Sequence, residues 1–255
     1  MPELPDLQLF SRNLHQKLAG LKVKEIDAPV PGKLNVPQGT LEKAIVGHTL
    51  KTVKRDGKTL HFIFDNDHVL QLHLMLNGEL VLGKEPAKHT ILSLGFSDGT
   101  ILSLTDFRKM ANATLDPEPT DAPDALAVDT KFFEELLGSK KTAIKNILLD
   151  QHLIRGIGNA YADEILWHAR ISPFSKADQI PKDKIKDLSK AVKTVLQDAE
   201  KQLIKSHPDI ISGEIRDFLK IHGAKIKESP TGAPVLMEKT GSRKTYYTDE
   251  QALFE

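Results

Sequence analysis

The sequence contains no cysteine, and its 35 lysines and arginines are cancelled by 35 aspartates and glutamates. Without cysteine there is no disulfide, no thiolate zinc site, no iron–sulfur cluster and no thiol nucleophile, and the chain suits a reducing compartment. Zero net charge removes any bulk attraction to a polyanion, although an average says nothing of where charge sits. No apolar run reaches the roughly 18 residues of a membrane span, and no basic segment followed by an apolar one opens the chain. A soluble intracellular protein with no membrane partner is expected.

What is present suffices for a packed core: 255 residues, 40% hydrophobic and 27% charged. A single core stops growing near about 250 to 300 residues, so two domains sharing a cleft are expected. Apolar residues at Leu7, Leu9, Phe10, Leu14 and Leu18 predict an amphipathic helix directly after the N-terminal PELP. From Leu21 to about Leu115 short β-like runs follow (HFIF, HVLQLHLML, GELVL, ILSLGF, TILSLT), separated by turn residues, which predicts a sandwich or barrel. Asp116 to Asp129, rich in Pro, Asp and Ala and free of basic residues, reads as a linker or acidic surface loop at a domain boundary. Helical signals then cover 131–137, 144–149, 160–169, 185–203 and 214–218, and the terminal stretch around Lys239-Thr240-Gly241-Ser242 looks like a β-hairpin.

Two constellations carry chemistry. In Met1-Pro2-Glu3-Leu4-Pro5, removal of the initiator leaves Pro2 as a secondary amine. An α-amino group has an ordinary pKa near about 8, so a neutral, nucleophilic fraction exists at physiological pH. Glu3 adjoins it to move protons, and Pro5 stiffens the backbone. Taken alone, Met-Pro is also an ordinary start of a chain. The second is Leu148-Leu149-Asp150-Gln151 through Gly156-Ile157-Gly158-Asn159-Ala160-Tyr161-Ala162-Asp163-Glu164. Its glycines allow a tight turn before a helix whose first N–H groups and Asn159 can hold a phosphate; a glycine turn between core helices is the bland alternative.

GIGNAYADEIL preceded by LLDQ resembles the helix-two-turn-helix signature of the formamidopyrimidine-DNA glycosylase and endonuclease VIII family, and PELP resembles that family's other signature. Their separation and the order of segments match across essentially the whole chain. The resemblance implies an α+β fold: an N-terminal β-sandwich domain with an N-terminal helix over 1–120, a helical helix-two-turn-helix DNA-binding domain over 130–222, and a terminal β-hairpin over 223–255. It implies that Pro2 attacks C1′ of a damaged, extruded nucleotide while Glu3 handles protons, giving glycosylase and abasic-site lyase chemistry by β- and δ-elimination without cofactor.

Residue by residue, the family's Arg-x-Gly-Lys turn resembles Arg55 to Lys58, which makes Lys58 a catalytic-site phosphate ligand; alone it reads as solvated surface. His73-Leu74-Met75-Leu76-Asn77-Gly78 resembles a segment that places His73 on phosphate and Leu76 where a void-filling methionine sits. Asp106-Phe107-Arg108-Lys109-Met110-Ala111 resembles a loop whose Arg, here Arg108, fills the gap left by the base, with Met110 replacing a wedging Phe or serving as a strand-end core residue. Asn159 and Arg243 match phosphate ligands, so Lys58, His73, Asn159 and Arg243 would form a clamp.

The departures matter as much. Relatives hold the hairpin with four Cys around zinc; here none exists, so a zincless finger without metal is implied, held by packing of Val235, Leu236, Met237, Tyr246, Tyr247, Leu253 and Phe254. Arg216-Asp217-Phe218 runs almost directly into Leu219 to Gly223, where purine-specific relatives carry a longer loop over the base, and Asp6 replaces a usual Glu. The partner implied is double-stranded DNA bearing oxidised bases or abasic sites, acted on by a monomer in a bacterial-type, nucleoid-associated setting. The alternative is a damage-binding or architectural protein that kept the fold and lost base excision.

Overall fold

The structure, a computed structural model, describes residues 1–255 apart from the side chain of Thr240. The chain forms two compact units: Met1–Pro119 with Leu203–Glu214, and Thr120–Gln202 with Ile215–Glu255.

The first unit opens with helix α1 (Leu4–Leu18), which begins where PELP ends its extended run: Glu3 is the N-cap, and Asp6 Oδ2 accepts from the Glu3 N–H at 2.8 Å. That carboxylate satisfies one of the donors a helix start leaves over. Leu7, Phe10, Leu14 and Leu18 recur at three- and four-residue spacing and all enter one hydrophobic core. Then come β1 (Val23–Asp27), α2 (Gln38–Ile45), β2 (Leu50–Asp56), β3 (Thr59–Phe64), β4 (Val69–His73), β5 (Glu79–Gly83), β6 (Thr90–Phe96), β7 (Ile101–Thr105) and β8 (Asn112–Leu115).

The strands make two four-stranded antiparallel sheets, ordered β1-β6-β7-β5 and β2-β3-β4-β8. On β3 and β4 every second residue is buried, the two-residue period of a half-covered strand. Leu60, Phe62, Phe64, Leu70 and Leu72 thus face the same core as Leu92, Leu94, Leu102 and Leu104 of the other sheet. Helix α2 is an addition to the sequence reading. It is eight residues long, buries only Leu41, Ala44 and Ile45, and sits among β-prone runs, so its periodicity is too short to register.

The second unit holds α3 (Thr130–Leu137), α4 (Ile144–Leu149), α5 (Asn159–His168), most of α6 (Lys182–Ser206), and the hairpin of β9 (Leu236–Thr240) and β10 (Arg243–Tyr247). Asp129 caps α3, its carboxylate accepting from the Phe132 N–H at 2.8 Å. Two sequence expectations change here. Residues 214–218 form no helix, because five residues beside Gly213, at φ +90°, cannot repay the cost of a first helical turn. Residues 116–129 are not merely a surface loop: Ala122, Ala125 and Val128 are buried. Arg155 stitches them down, its Nε donating to Ala122 O at 2.6 Å and its N–H to Pro123 O at 2.9 Å. No helix among the described residues is long and apolar enough to cross a membrane.

Candidate functional site

Pro2 is buried at the wall of a cavity of about 400 Å³, lined also by Leu76, Asn77, Lys88, Phe107 and Glu214. Glu3, 4% exposed, follows it as the cap of α1. The two residues named first by the sequence are therefore fixed by the start of a core helix rather than carried on a loose tail.

Lys58 sits in a two-residue turn between β2 and β3, where Asp56 pairs with Thr59 and Gly57 takes φ +54°, a conformation that favours glycine. Arg55 braces this turn against α1: its Nε donates to Gln8 Oε1 at 2.9 Å and its Nη1 to Gly57 O at 3.1 Å. Lys58 is only 9% exposed, not the solvated surface lysine that composition alone suggests. Register explains its neighbour. Leu60 pairs with Leu72, so the chain positions just before Leu60 lie beside the one just after Leu72, His73. Burial, and then the positive charge of Lys58, lower the His73 pKa from its ordinary value, and its Nδ1 accepts from the Met75 N–H at 2.9 Å. A neutral ring is required for that bond.

Two loops frame the cavity. In the first, the Gly78 N–H donates to Leu74 O at 2.7 Å, and a Cβ on Gly78 would lie 2.3 Å from that oxygen and 2.9 Å from Ala111 Cβ. The closed turn leaves Leu76 55% exposed at the cavity. In the second, Asp106 is a hub: its carboxylate accepts from the N–H groups of Arg108, Met110 and Ala111 at 2.8 to 2.9 Å. Burial pushes the Asp106 pKa up, but these three donors and Lys33 outweigh it and hold the group below its ordinary value. Met75 and Lys109 on these loops, and His89 on the cavity wall, are non-glycine residues with φ between +53° and +60°, a strain of roughly 1 to 3 kcal/mol each that the surrounding bonds must hold.

The Asp106 loop also shows a residue that sequence reasoning missed. Met110 is half-buried and Arg108 is exposed, while Phe107 is 63% exposed and lines the cavity. The Arg108 guanidinium lies 5.5 Å from the Phe107 ring centroid. By residue type the family loop marks Met110 as the replaced aromatic; the sequence signal for Phe107 is a phenylalanine two positions before a lysine in a turn.

In the second unit the glycine turn is sewn by Gln151, whose Nε2 donates to Leu149 O and Ile157 O and whose Oε1 accepts from the Gly156 N–H. Gly156 has φ +105°. Helix α5 then starts at Asn159, whose Nδ2 donates to Lys244 O at 2.9 Å and so meets the hairpin one residue from the exposed Arg243. Of the four clamp residues, Lys58 and His73 fall in the first unit and Asn159 and Arg243 in the second.

Packing alone does not hold the hairpin, contrary to expectation. Leu236, Met237 and Leu253 are 43%, 52% and 52% exposed; of the apolar residues named for that task only Tyr246 is fully buried. A buried polar network anchors the hairpin as well. Lys145 Nζ of α4 lies 2.6 Å from Asp163 Oδ1 of α5 and donates to Thr245 Oγ1 at 2.8 Å. Asp163 Oδ2 accepts from the Tyr246 N–H at 3.0 Å and meets His222 Nδ1 at 2.7 Å. Glu164 accepts from the N–H groups of Lys220, Ile221 and His222, with burial raising its pKa against their pull. Below the hairpin, Glu250 pairs with Arg170 at 2.8 Å, and Phe174 meets Tyr247 edge-on at 5.1 Å. Among the described residues no group of three His, Asp or Glu is placed to hold a metal ion.

Family profiles match both halves of this arrangement: the formamidopyrimidine-DNA glycosylase N-terminal domain over residues 1–113 and the formamidopyrimidine-DNA glycosylase H2TH domain over residues 115–207. The chain belongs to the formamidopyrimidine-DNA glycosylase family. A formamidopyrimidine-DNA glycosylase of Pelotomaculum thermopropionicum is 31% identical over 270 residues, covering 97% of each chain, and one of Lactococcus lactis subsp. cremoris is likewise 31% identical with 97% of each covered. Among solved structures, a complex of the LlFpg protein with a THF-DNA and an inhibitor superposes with a TM-score of 0.88 at 29% identity, covering 98% of this chain and 100% of that one. Lactococcus lactis Fpg with DNA containing an abasic site gives 0.86 at 28% identity, covering 97% and 98%. Against these family members the chain keeps the α+β order of sheets, helices and terminal hairpin while lacking every thiol.

Proposed function

We propose that this protein is a base-excision-repair DNA glycosylase with associated abasic-site lyase activity, acting on oxidised or ring-opened bases in double-stranded DNA inside the cell. The observation that carries the reading is Pro2, buried at the wall of an open cavity in a chain whose relatives are named formamidopyrimidine-DNA glycosylases and whose structural neighbours hold abasic-site DNA. With Met1 removed, the Pro2 amine attacks C1′ of an extruded nucleotide; Glu3, at the cap of α1, serves proton transfer. Lys58, buried beside His73, and His73 itself hold the phosphate beside the lesion. Leu76, Phe107, Arg108 and Met110 supply the apolar and cationic surface that fills the emptied stack.

In the second unit Asn159 and Arg243 take further phosphates, so residues 130–222 and 223–255 serve DNA binding while 1–120 carries the chemistry, joined in its unit by Leu203–Glu214. The chemistry proposed draws on the terminal amine of Pro2 and on side chains of this chain. The short connection after Phe218 leaves less chain to cover a flipped purine, so ring-opened purines, oxidised pyrimidines and abasic sites are favoured over 8-oxoguanine.

The test is a panel of duplexes carrying an abasic site, a formamidopyrimidine, thymine glycol or 8-oxoguanine. Nicking with phosphate left on both ends is the result expected of β- and δ-elimination; retardation of the damaged duplexes with no nicking would favour the binding-only alternative and sink this one.

A further inference from the structure

The residues from His207 to Glu214 form no helix or strand, yet they are pinned within the first unit. Buried Asn13 of α1 donates through Nδ2 to Pro208 O and to Ile210 O, both at 2.8 Å. Ser212 Oγ accepts from the Leu80 N–H at 2.9 Å, and Ile210 and Ile211 pack on the core. These bonds carry Gly213 and Glu214 to the wall of the Pro2 cavity, where Glu214 Oε1 pairs with the Met1 ammonium. Successive backbone nitrogens lie roughly 3 Å apart, so once Met1 is gone a side-chain rotation brings that carboxylate to the new Pro2 amine.

We propose that Glu214 is a catalytic residue: its carboxylate is the counter-ion of the cation that forms on the Pro2 nitrogen. The proposal rests on the reading of Pro2 as nucleophile. In base excision the Pro2 lone pair forms the N–C1′ bond as the glycosidic bond breaks, its electron pair leaving on the base, which takes up a proton. The Pro2 N–H proton then passes to O4′ as the C1′–O4′ bond opens, leaving a positively charged C1′=N iminium. On an abasic site the same iminium arises from the aldehyde with loss of water. In both cases positive charge settles on nitrogen, where a preplaced carboxylate stabilises it.

Other charged groups face the same cavity: Glu79, Lys88, His89 and Asp106. Asp106 is engaged by three backbone donors, and Lys88 carries the wrong sign to stabilise a cation. Glu214 is the group whose oxygen pairs with the N-terminal nitrogen.

A counter-ion here has two opposed effects, which gives it a signature. It stabilises the iminium, raising the rate at high pH, but it also favours the protonated amine, so the rate rises only at higher pH. A side chain that merely shaped the cavity would affect the first and not the second.

The experiment uses the full chain with Met1 removal verified by intact mass. Borohydride trapping rates on abasic duplex are measured under single turnover from pH 5 to 9 for wild type, Glu214→Gln and Glu214→Asp. For Glu214→Gln the plateau is expected to fall roughly tenfold, less than for a fully sequestered partner because Glu214 is 36% exposed. Its rising limb is expected to move about one unit toward lower pH, and Glu214→Asp is expected to recover part of both. An unchanged profile for Glu214→Gln, or a lowered plateau with an unmoved limb, overturns the proposal. If wild type itself forms no adduct, what fails is the assignment of Pro2, and that outcome is read separately.

Discussion

Lys145 Nζ and Asp163 Oδ1 meet at 2.6 Å with side chains 7% and 0% exposed, and through Thr245 and Tyr246 this pair ties the terminal hairpin to α4 and α5. Removing one partner of a buried pair strands the other charge, at a cost of about 3 to 5 kcal/mol. Lys145→Met is therefore expected to lower the urea midpoint of the protein strongly. Adding Asp163→Asn should recover part of the loss, because the amide removes the stranded charge and keeps an acceptor for the Tyr246 N–H. A chelator should leave the midpoint unchanged.

How much of this was legible in the sequence depends on the range of the interactions. PELP, the glycine turn before Asn159 and the period of α1 are local patterns, and each appears where the residues place it. The hairpin also appears, since β-prone runs around Gly241 encode it locally. Its anchorage was not legible. Lys145 and Asp163 are 18 positions apart and Thr245 another 82, and nothing in a Lys within an apolar stretch marks it as a buried partner. Phe107 was hidden for a different reason: exposure of a side chain on a turn depends on how Asp106 folds the loop, which alignment by residue type does not express.

His73 gives a pH-dependent stability. Its folded pKa is depressed by burial and by Lys58, so between that value and the ordinary one near 6.5 the unfolded chain binds more protons than the folded one. Stability should accordingly rise with pH across that window and be lost as pH falls through it. Urea midpoints measured from pH 5 to 7.5 are expected to climb for wild type and to climb less for His73→Asn; parallel slopes for the two would remove His73 from the account.

Phe107, 63% exposed at the cavity wall, is the side chain proposed to enter the base stack. Stacking on an aromatic contributes about 1 to 3 kcal/mol per base. Phe107→Ala should weaken binding to abasic duplex by about tenfold or more, whereas Met110→Ala, at a half-buried position, should weaken it less and lower stability instead. Fluorescence of 2-aminopurine beside the lesion, combined with equilibrium binding, distinguishes the two; a larger binding loss from Met110→Ala would reverse the assignment.

Gly78 admits no side chain, since a Cβ would overlap Leu74 O and press on Ala111 Cβ. Gly78→Ala must open the turn that presents Leu76, at a cost of roughly 1 to 3 kcal/mol. A matching fall in thermal midpoint and in nicking rate is expected, and an unaffected nicking rate would show that the turn does not set the position of Leu76.

The nucleophile proposed for this site is the amine of Pro2. Intact-mass analysis of processed protein after borohydride treatment with abasic duplex tests it most directly, together with a form that retains Met1 and with Pro2→Gly. One DNA strand added per processed wild-type chain is expected, with the added mass mapping to the N-terminal peptide, and no adduct when Met1 is retained. An adduct of equal yield on the Met1-retaining form, or one mapping to a lysine such as Lys58, would contradict it.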